Sequence, residues 1–375
     1  MRSLIDSAEE GSALERTTAD PAADLVIEVE QAIDRVLRPL LAGVDRVALL
    51  DFPNYSNVGD SAIWLGELAY LRRSGMPRVV YTCDMQHYNA RAMLNRLGGG
   101  MILLSGGGNF GDVWPAHQRF RERVLHDFPN HRVIQLPQTI HFSSREALDA
   151  SRRSVNRHEH LTLLVRDEPS LSIAHEGFHT PVRLCPDMAF CLGTLSRRVS
   201  AQADIYWLAR TDVEQRAGSA ASAQPGVEVG DWLEEPISIT KRVERWLQEN
   251  MRNRPRKLAG LHGPLGYVRE RLASERLERG LRQLSRGRVV ITDRLHGHIL
   301  STLMGIPHVL LDNSYGKVFG FHRLWTGESP LVHPCDSSSD ALLVAREISS
   351  RSCLEPDQPG RGGVREKEGL TCASR

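Results

Sequence analysis

Short apolar runs separated by helical patterns recur along most of the chain. The runs lie at residues 46–50, 78–82, 101–105, 132–136, 161–165, 182–185, 204–208, 288–292 and 308–311. Apolar runs of this length are typical of strands that helices bury on both faces. Their alternation with helical segments predicts βαβ units, and hence an α/β fold built on parallel sheets.

The series of predicted strands breaks near residues 193–203, where apolar residues become scarce before a new run begins. We place a domain boundary there, with an N-terminal domain at residues 23–198 and a C-terminal domain at residues 199–350. A chain of 375 residues is long enough for two domains with a core each. Within the second domain, the small residues of segment 218–226 predict a surface loop.

Both ends of the chain are expected to be disordered. Residues 1–22 are small and polar, and residues 351–375 are rich in glycine, proline and charge. After the first tail, residues 25–44 predict an amphipathic helix. Because this helix carries few Lys or Arg residues, packing onto the sheet is favoured over binding to a membrane surface.

The composition excludes several classes of protein. Lys and Arg total 47 against 46 Asp and Glu, for a formal net charge of +1, and hydrophobic residues make up 41 %. The chain is too apolar to be disordered, and too neutral to bind nucleic acid through its bulk charge. The six cysteines are scattered, so we expect neither a disulfide framework nor a metal site. Since we find no signal peptide and no membrane-spanning apolar stretch, we expect a cytoplasmic protein.

Polar side chains follow the first predicted strand. The loop contains Asn54, Asn57 and Asp60 and runs directly into a helix predicted to begin at Ser61. Asp60 is expected to cap that helix, and Gly59 to let the backbone approach a ligand closely. Amide groups at a helix start attract anions, and open α/β sheets bind ligands at the carboxyl ends of their strands.

The segment 106–111 (GGGNFG) formally matches the dinucleotide-binding pattern GxGxxG. Trp114 and Pro115 interrupt the helix that should follow, and the next strand ends in Gln138 instead of an acidic residue for a ribose. These departures disfavour NAD binding. We predict instead a glycine loop in which Asn109 forms hydrogen bonds to a ligand.

His141, Arg166 and Asp187 follow further predicted strands in the same way. Each one alone has an ordinary explanation, such as a surface histidine or a salt bridge. Since the carboxyl ends of parallel strands meet at one edge of a sheet, their common placement favours a binding site.

Arg294 and His296 lie between the predicted strand 288–292 and a helix that is apolar nearly all round. An arginine at this helix start suits bidentate binding of phosphate or carboxylate, and the histidine could accept or relay protons. Lys317 offers another anion-binding group after a later strand. By contrast, the arginines of segment 269–288 accompany a stripe of leucines, which predicts the solvated face of a helix.

Seven motifs in this order resemble those of the polysaccharide pyruvyl transferase family. They are NVGD at 57–60, GGGN at 106–109, PQT at 137–139, VRD at 165–167, CPD at 185–187, DRLHG at 293–297 and DNSYGK at 312–317. The resemblance implies two Rossmann-like domains facing a cleft, in the glycosyltransferase-B-like arrangement. It further implies transfer of the enolpyruvyl unit of phosphoenolpyruvate to a sugar, usually as a cyclic ketal, in exopolysaccharide or cell-wall polymer synthesis.

The resemblance also suggests roles for individual residues. The donor-binding residues would be Arg294, Leu295, Arg166 and Lys317. The acceptor-binding residues would be Asn57, Gly59, Asn109 and Gln138. Since ketal formation needs an acid and a base, we expect His296 to serve catalysis, with Asp60 or His141 as the base for the sugar hydroxyl.

No cofactor is expected beside phosphoenolpyruvate and the saccharide acceptor. Two alternatives stay open: a glycosyltransferase of the same architecture that uses a nucleotide-sugar donor, and a non-catalytic sugar- or anion-binding partner. A lipid-linked acceptor would place the protein peripherally at the inner face of the membrane.

Overall fold

Two parallel β-sheets form the framework of the protein. The computed structural model describes residues 21–210, 224–253, 262–312 and 316–352. The strands of sheet A are β1 (Arg46–Leu50), β2 (Arg78–Cys83), β3 (Met101–Leu104), β4 (Gly107–Gly111), β5 (Val133–His141), β6 (Leu161–Val165) and β7 (Val182–Leu184). The strands of sheet B are β8 (Ala203–Leu208), β9 (Val227–Gly230), β10 (Gly287–Thr292), β11 (His308–Leu310) and β12 (Val332–Pro334).

Helices connect most of the strands and cover both sheets. They are α1 (Pro21–Leu41), α2 (Val58–Leu71), α3 (Ala90–Leu97), α4 (Pro115–Asp127), α5 (Arg145–Val155), α6 (Glu168–Gly177), a 3-10 helix (Met188–Leu192), α7 (Ile239–Asn253), α8 (His262–Ser285), α9 (Leu295–Leu303), α10 (Lys317–Trp325) and α11 (Ser338–Ser352). Sheet A has the order β2-β1-β3-β5-β6-β7, with β4 also on β5, and sheet B has the order β12-β11-β10-β8-β9. The predicted α/β class, with two Rossmann-like parallel sheets, is confirmed.

All nine predicted strands are present, whereas β4, β9 and β12 were not predicted. The expected glycine loop after β3 is wrong, because Gly107–Gly111 forms β4. Strand β5 continues past its predicted end to His141, and its last residues pair with β4. Glycine has a low strand propensity, so the local sequence favoured a loop. In the structure, the extended β5 supplies the backbone hydrogen-bond partners that make this segment a strand.

Helix α1 packs into a core that extends across both halves of the chain. Val26, Val29, Ile33 and Leu37 are each at most 3 % exposed, in a cluster that includes side chains of α2, α8 and α9. We expected this helix to pack onto the sheet; it packs into the protein with α9 and the 3-10 helix as its main neighbours. At roughly 25 cal/mol per Å² of buried apolar surface, such a face stabilises the helix far more than its intrinsic propensity does.

Helix α8 joins the two sheets through arginines that were predicted to be solvated. Arg276 is fully buried and donates from Nη1 to the carbonyl of Pro53 at 2.7 Å, and Arg269 is 1 % exposed and donates to the carbonyl of Thr82 at 2.7 Å. The prediction of a solvated face is therefore wrong at these two positions. The loops after β1 and β2 need hydrogen-bond donors there, which the α8 sequence alone does not reveal.

The change from sheet A to sheet B takes place between residues 184 and 203. This stretch overlaps the break expected near 193–203, and our division into domains 23–198 and 199–350 stays a prediction. Helices α1 and α11 include residues 21–22 and 351–352, which were expected to belong to the tails. The rest of both tails, and most of the loop predicted at 218–226, lie outside the described residues.

No helix in the described ranges combines the length and the apolar character needed to cross a bilayer.

Candidate active site

A cavity of about 350 Å³ opens between the carboxyl ends of strands from both sheets. Its walls come from β4 and from the segments that follow β1, β6, β8, β9, β10 and β11. This is the position at which α/β sheets bind ligands. The lining residues are Tyr55, Ser56, Asn57, Asp60, Gly108, Asn109, Trp114, His117, Arg166, Arg210, Trp232, Leu233, Arg294, Leu295, His296 and Lys317.

The imidazole of His296 faces a buried carboxylate that also binds an arginine. Nε2 of His296 lies 3.3 Å from Oδ2 of Asp187, an ion-pair contact without the alignment of a hydrogen bond. The same carboxylate accepts a hydrogen bond from Nη1 of Arg166, a residue that is 1 % exposed. Nε of Arg166 donates to Oγ1 of Thr139 at 2.9 Å. Asp187 therefore orients an imidazole and a guanidinium at the same time.

The ionisation of Asp187 follows from these neighbours. Burial alone would raise the pKa of its carboxyl, but the charges of His296 and Arg166 hold that pKa well below its usual range. The backbone amide of Ala189, which donates at 2.9 Å, lowers the pKa further. An ionised carboxylate at this place can stabilise positive charge on the imidazole during a proton transfer.

Gly59 packs against the other nitrogen of the His296 ring. A Cβ atom at Gly59 would lie 2.3 Å from Nδ1 of His296, so a larger residue would displace the ring. Asn57 caps α2, since its side chain accepts from the amide of Gly59 at 2.9 Å. The prediction that Asp60 is the cap is wrong because α2 begins at Val58, which places Asp60 in the first turn and in the cavity wall.

Arg294 occupies the N-cap position of α9 with its side chain directed by a second carboxylate. Nη2 of Arg294 donates to both oxygens of Asp231, at 2.7 and 2.8 Å. Its guanidinium carbon lies 5.8 Å from the centroid of the Trp232 ring, within the range of a cation–π contact. A carboxylate and an aromatic ring thus hold this guanidinium at the wall of the cavity.

The cationic groups of Arg166 and Lys317 meet beside Gly108 on β4. A Cβ atom at Gly108 would lie 3.2 Å from Nη2 of Arg166 and 3.8 Å from Nζ of Lys317. With Arg210 and Arg294, they make four cationic side chains among the described lining residues, and Asp60 is the carboxylate in that set. Two of the four are already paired with carboxylates outside this set, Arg166 with Asp187 and Arg294 with Asp231. The wall therefore presents cationic groups whose positions are fixed by these pairs, and such groups suit contact with an anion.

Asn109 is held in one orientation. Its amide oxygen accepts from Nη2 of Arg121 at 2.9 Å and from Nε2 of Gln138 at 3.0 Å, which directs the amide NH₂ elsewhere. Gln138 also accepts from the backbone amide of Asn109 at 3.1 Å.

Below β4, Glu67 accepts from the amide of Gly106 at 2.7 Å, and burial raises the pKa of Glu67 to about 8. The carboxyl therefore carries a proton at neutral pH while it supports the start of this segment.

His117 forms a second pair of an imidazole and a carboxylate. Its Nδ1 lies 2.8 Å from Oδ2 of Asp51, and both residues are buried. Asp51 has a φ of 71°, in the left-handed region, at a cost of about 1–3 kcal/mol. The Tyr55 ring stands edge-on to His117 at 5.9 Å, and Trp114 lines the same cavity. Aromatic faces beside a fixed imidazole suit the apolar CH groups and hydroxyls of a sugar.

Most of the residues predicted from sequence meet at this cavity. The predicted residues in its wall are His296, Asp60, Arg294, Leu295, Arg166, Lys317, Asn57 and Asn109. Gly59 and Gln138 lie directly behind wall residues, whereas His141, the last residue of β5, is not among the lining residues of the described chain. Their roles in binding and catalysis stay predictions.

Sequence reasoning missed several wall residues, among them His117, Arg210 and Trp232. Arg210 comes two positions after β8, so its place after a strand was a usable signal. Trp232 follows β9, whose sequence VEVG is not an apolar run and so did not indicate a strand. His117 lies within α4, where a histidine gives no local sign that it reaches a cavity.

One formal metal-binding motif, HEGFH, occurs at residues 175–179. The HExxH motif requires both histidines on one face of a helix. Here α6 ends at Gly177 and Phe178 has extended backbone angles, so His179 lies beyond the helix. The described residues contain no cluster of His, Cys, Asp and Glu that could hold a metal ion.

Comparison with known proteins places the chain in a family. The family model described as polysaccharide pyruvyl transferase matches residues 57–315. Pyruvyl transferase 1 of Schizosaccharomyces pombe is 33 % identical over 328 residues, which cover 82 % of this chain and 77 % of that protein. The putative pyruvyl transferase EpsO of Bacillus subtilis is 31 % identical over 302 residues, which cover 80 % of this chain and 91 % of that protein.

A solved structure shares the fold. An uncharacterised protein of Klebsiella pneumoniae superposes with a TM-score of 0.52 at 18 % sequence identity, over 82 % of this chain and 99 % of that chain. The family match includes six of the seven sequence motifs in full and most of the cavity wall. The chain belongs to the polysaccharide pyruvyl transferase family and is a transferase.

Proposed function

We propose that this protein transfers the enolpyruvyl unit of phosphoenolpyruvate to a saccharide as a cyclic ketal, in exopolysaccharide or cell-wall polymer biosynthesis. The observation that carries the proposal is the convergence of Arg166, Arg294 and Lys317 on a cavity that contains an imidazole paired with Asp187. Phosphoenolpyruvate carries a phosphate and a carboxylate. Both groups suit arginine forks and the amides at the start of a helix.

Formation of the ketal transfers a proton to carbon and releases phosphate. One proton adds to C3 of phosphoenolpyruvate, and an oxygen of the sugar bonds to C2. A second sugar oxygen then bonds to C2 as the bond between C2 and the phosphate oxygen breaks. Of the two protons lost by the hydroxyls, one balances the proton given to C3, and the other leaves with the phosphate.

We assign the proton transfer to C3 to His296, because its ring lies in the cavity wall against ionised Asp187. We assign the sugar hydroxyl to Asp60, since Asp60 lines the cavity and His141 does not. Burial, together with the charges of Asp60 and Asp51, raises the pKa of Tyr55 well above its ordinary value. Tyr55 therefore stays protonated and can donate a hydrogen bond beside Asp60.

The acceptor sugar is assigned to the wall formed by Asn57, Asn109, Trp114 and His117. These side chains provide amide groups, a fixed imidazole and an aromatic face. The amide NH₂ of Asn109 is the group that its partners leave available to a sugar hydroxyl. We propose that the reaction takes place in the cytoplasm, since phosphoenolpyruvate is a metabolite of that compartment.

The test is to incubate the protein with phosphoenolpyruvate and candidate saccharides. We expect release of inorganic phosphate together with a product whose mass has increased by a pyruvate ketal. Turnover of a nucleotide-sugar without phosphate release from phosphoenolpyruvate would favour the glycosyltransferase alternative. Binding of phosphoenolpyruvate without turnover of any saccharide, with equal cellular function in a His296→Gln variant, would favour a non-catalytic binding protein.

A further inference from the structure

Helix α7 presents an apolar face to the outside of the protein. Ile239, Val243 and Trp246 are 78, 41 and 59 % exposed, and their spacing puts them on one side of the helix. Ile237, just before the helix, is 68 % exposed. We call these four side chains the α7 ridge. They are four of the ten large apolar side chains that are exposed in the described part of the chain, and they form a continuous segment rather than scattered single residues.

The inward face of α7 contains Glu244, Gln248 and the buried Leu247, and it anchors the helix to the protein. Glu244 and Gln248 are 1 and 5 % exposed. Nδ2 of Asn54 donates to Oε1 of Glu244 at 3.1 Å, and Nε2 of Gln248 donates to Oδ2 of Asp84 at 2.8 Å. Two of the three buried residues described on α7 are therefore polar, whereas the apolar side chains of the ridge face outward, contrary to the usual amphipathic arrangement.

The sequence of this segment is mainly basic. Arg242 and Arg245 are exposed on α7, and the exposed acid on the helix is Glu249. From residue 234 to residue 257 the sequence contains seven Lys or Arg residues against four Glu residues, one of which is the buried Glu244. An apolar face that contains tryptophan and is flanked by basic residues has the composition of an interfacial helix.

We propose that the α7 ridge binds the surface of an anionic lipid bilayer, with α7 lying in the plane of the headgroups. The apolar side chains enter the boundary between headgroups and acyl chains, where tryptophan is favoured. Arg242 and Arg245, which lie along one flank of the ridge, contact anionic headgroups. The basic excess of this segment favours an anionic partner over a second copy of the same chain, since like charges repel.

The ridge also lies close to the cavity along the chain. Trp232 and Leu233 line the cavity and Ile237 begins the ridge, while Asn54 connects the loop after β1 to the inner face of α7. A bilayer on this face would hold a lipid-linked saccharide near the cleft. This last point rests on the proposed function, whereas bilayer binding does not, and the test below measures binding without measuring activity.

The experiment is sedimentation of the full chain with lipid vesicles of two compositions. We expect the protein to bind vesicles that contain phosphatidylglycerol, and to bind vesicles of phosphatidylcholine alone at least about tenfold more weakly. Replacing Val243→Ser and Trp246→Ser together should lower binding to the anionic vesicles by about tenfold or more, since two apolar anchors are lost. The matched control is Leu343→Ser on α11, a residue 65 % exposed outside the ridge, which should bind like the wild type.

A second measurement does not depend on the folding of the double variant. Brominated lipid in the anionic vesicles should quench tryptophan fluorescence of the wild type, and this quenching should largely disappear in Trp246→Phe, which keeps an aromatic side chain. Equal binding to the two lipids, equal binding by the ridge variant, or unchanged quenching in Trp246→Phe would overturn the proposal. It would also be overturned if light scattering showed a wild-type dimer that the ridge variant dissociates, because the ridge would then be a contact between copies.

Discussion

Two histidines of helix α9 are two residues apart and have opposite environments. His296 lies in the cavity wall, with Nε2 3.3 Å from a carboxylate of the other half of the chain. His298 is fully buried, with Nδ1 2.7 Å from Nε2 of His308 and Nε2 2.9 Å from Oγ1 of Thr326. One imidazole faces a charge, and the other belongs to a buried network of neutral groups.

The difference shows that residue type and local sequence do not assign a role to a histidine on α9. In a helix, positions two apart point to different sides. His296 therefore faces the strand ends of sheet A, and His298 faces β11 and α10 within the same half. We expect changes at His296 to affect chemistry, and changes at His298 to affect stability.

The largest expected effect is on turnover by a His296→Gln variant. Loss of general acid–base catalysis should lower kcat by about 10²–10⁴-fold. The matched control is His298→Gln, which should lower the free energy of unfolding while the folded fraction keeps a kcat near that of the wild type. Initial-rate kinetics and urea unfolding on both variants check the pair. Equal losses of kcat in the two folded proteins would contradict the comparison.

The Asp187→Asn variant removes the negative charge that faces His296 on α9 and pairs with Arg166. The buried guanidinium of Arg166 would lose its ionised partner, which should cost about 3–5 kcal/mol of stability. Glu347→Gln, on the exposed side of α11, is the control and should change stability by less than about 0.5 kcal/mol. Chemical denaturation measures both values. A loss below about 1 kcal/mol for Asp187→Asn would show that this pair is not a stabilising one.

The histidine network behind α9 should make stability depend on pH. Burial, together with neighbouring histidines, lowers the pKa of His298 and His308, to about 4 for His308 against an ordinary value of 6.5. Between these values the unfolded chain binds more protons than the folded protein, so stability falls as the pH drops from about 6.5 to about 4. The loss attributable to His308 alone is at most about 3–4 kcal/mol.

Urea unfolding at a series of pH values tests this dependence. A His308→Gln variant removes one of the titrating groups and should flatten the slope of stability against pH, whatever its effect on absolute stability. His126→Gln, an exposed histidine on α4, is the control and should leave the slope unchanged. The same slope in His308→Gln as in the wild type would show that the network does not titrate as described.

The smallest of these effects is expected for Arg294→Lys. A guanidinium can bind Asp231 with one NH₂ group while its other N–H groups bind a ligand in the cavity, and a lysine ammonium cannot reproduce this geometry. The KM for phosphoenolpyruvate should therefore rise about tenfold in this variant. The control is Arg288→Lys. Arg288 lies on β10, the strand that precedes Arg294, and its side chain is exposed, so this change should leave that KM unchanged. An unchanged KM in Arg294→Lys would remove this residue from the donor site.

Much of the fold could be predicted because the strands are short apolar runs with helical segments between them. The failures have physical causes in particular residues. Gly107–Gly111 became β4 because β5 was long enough to pair with it. Arg269 and Arg276 became buried because two loops of sheet A needed donors for their carbonyl groups. The inward polar face of α7 likewise depends on Asn54 and Asp84, which are distant in sequence.

The sequence alone determined nine of the twelve described strands in their order, and with them many of the residues that follow strands at the ligand-binding edge. Periodicity and helix starts are local properties, so Arg166, Arg294 and His296 could be placed at strand ends without coordinates. Only the tertiary structure decided the pairs that give the site its chemistry. Asp51 reaches His117 across 66 positions, and Asp187 reaches His296 across the change of sheet. Such pairs depend on how the two sheets pack, which no local pattern of residues records.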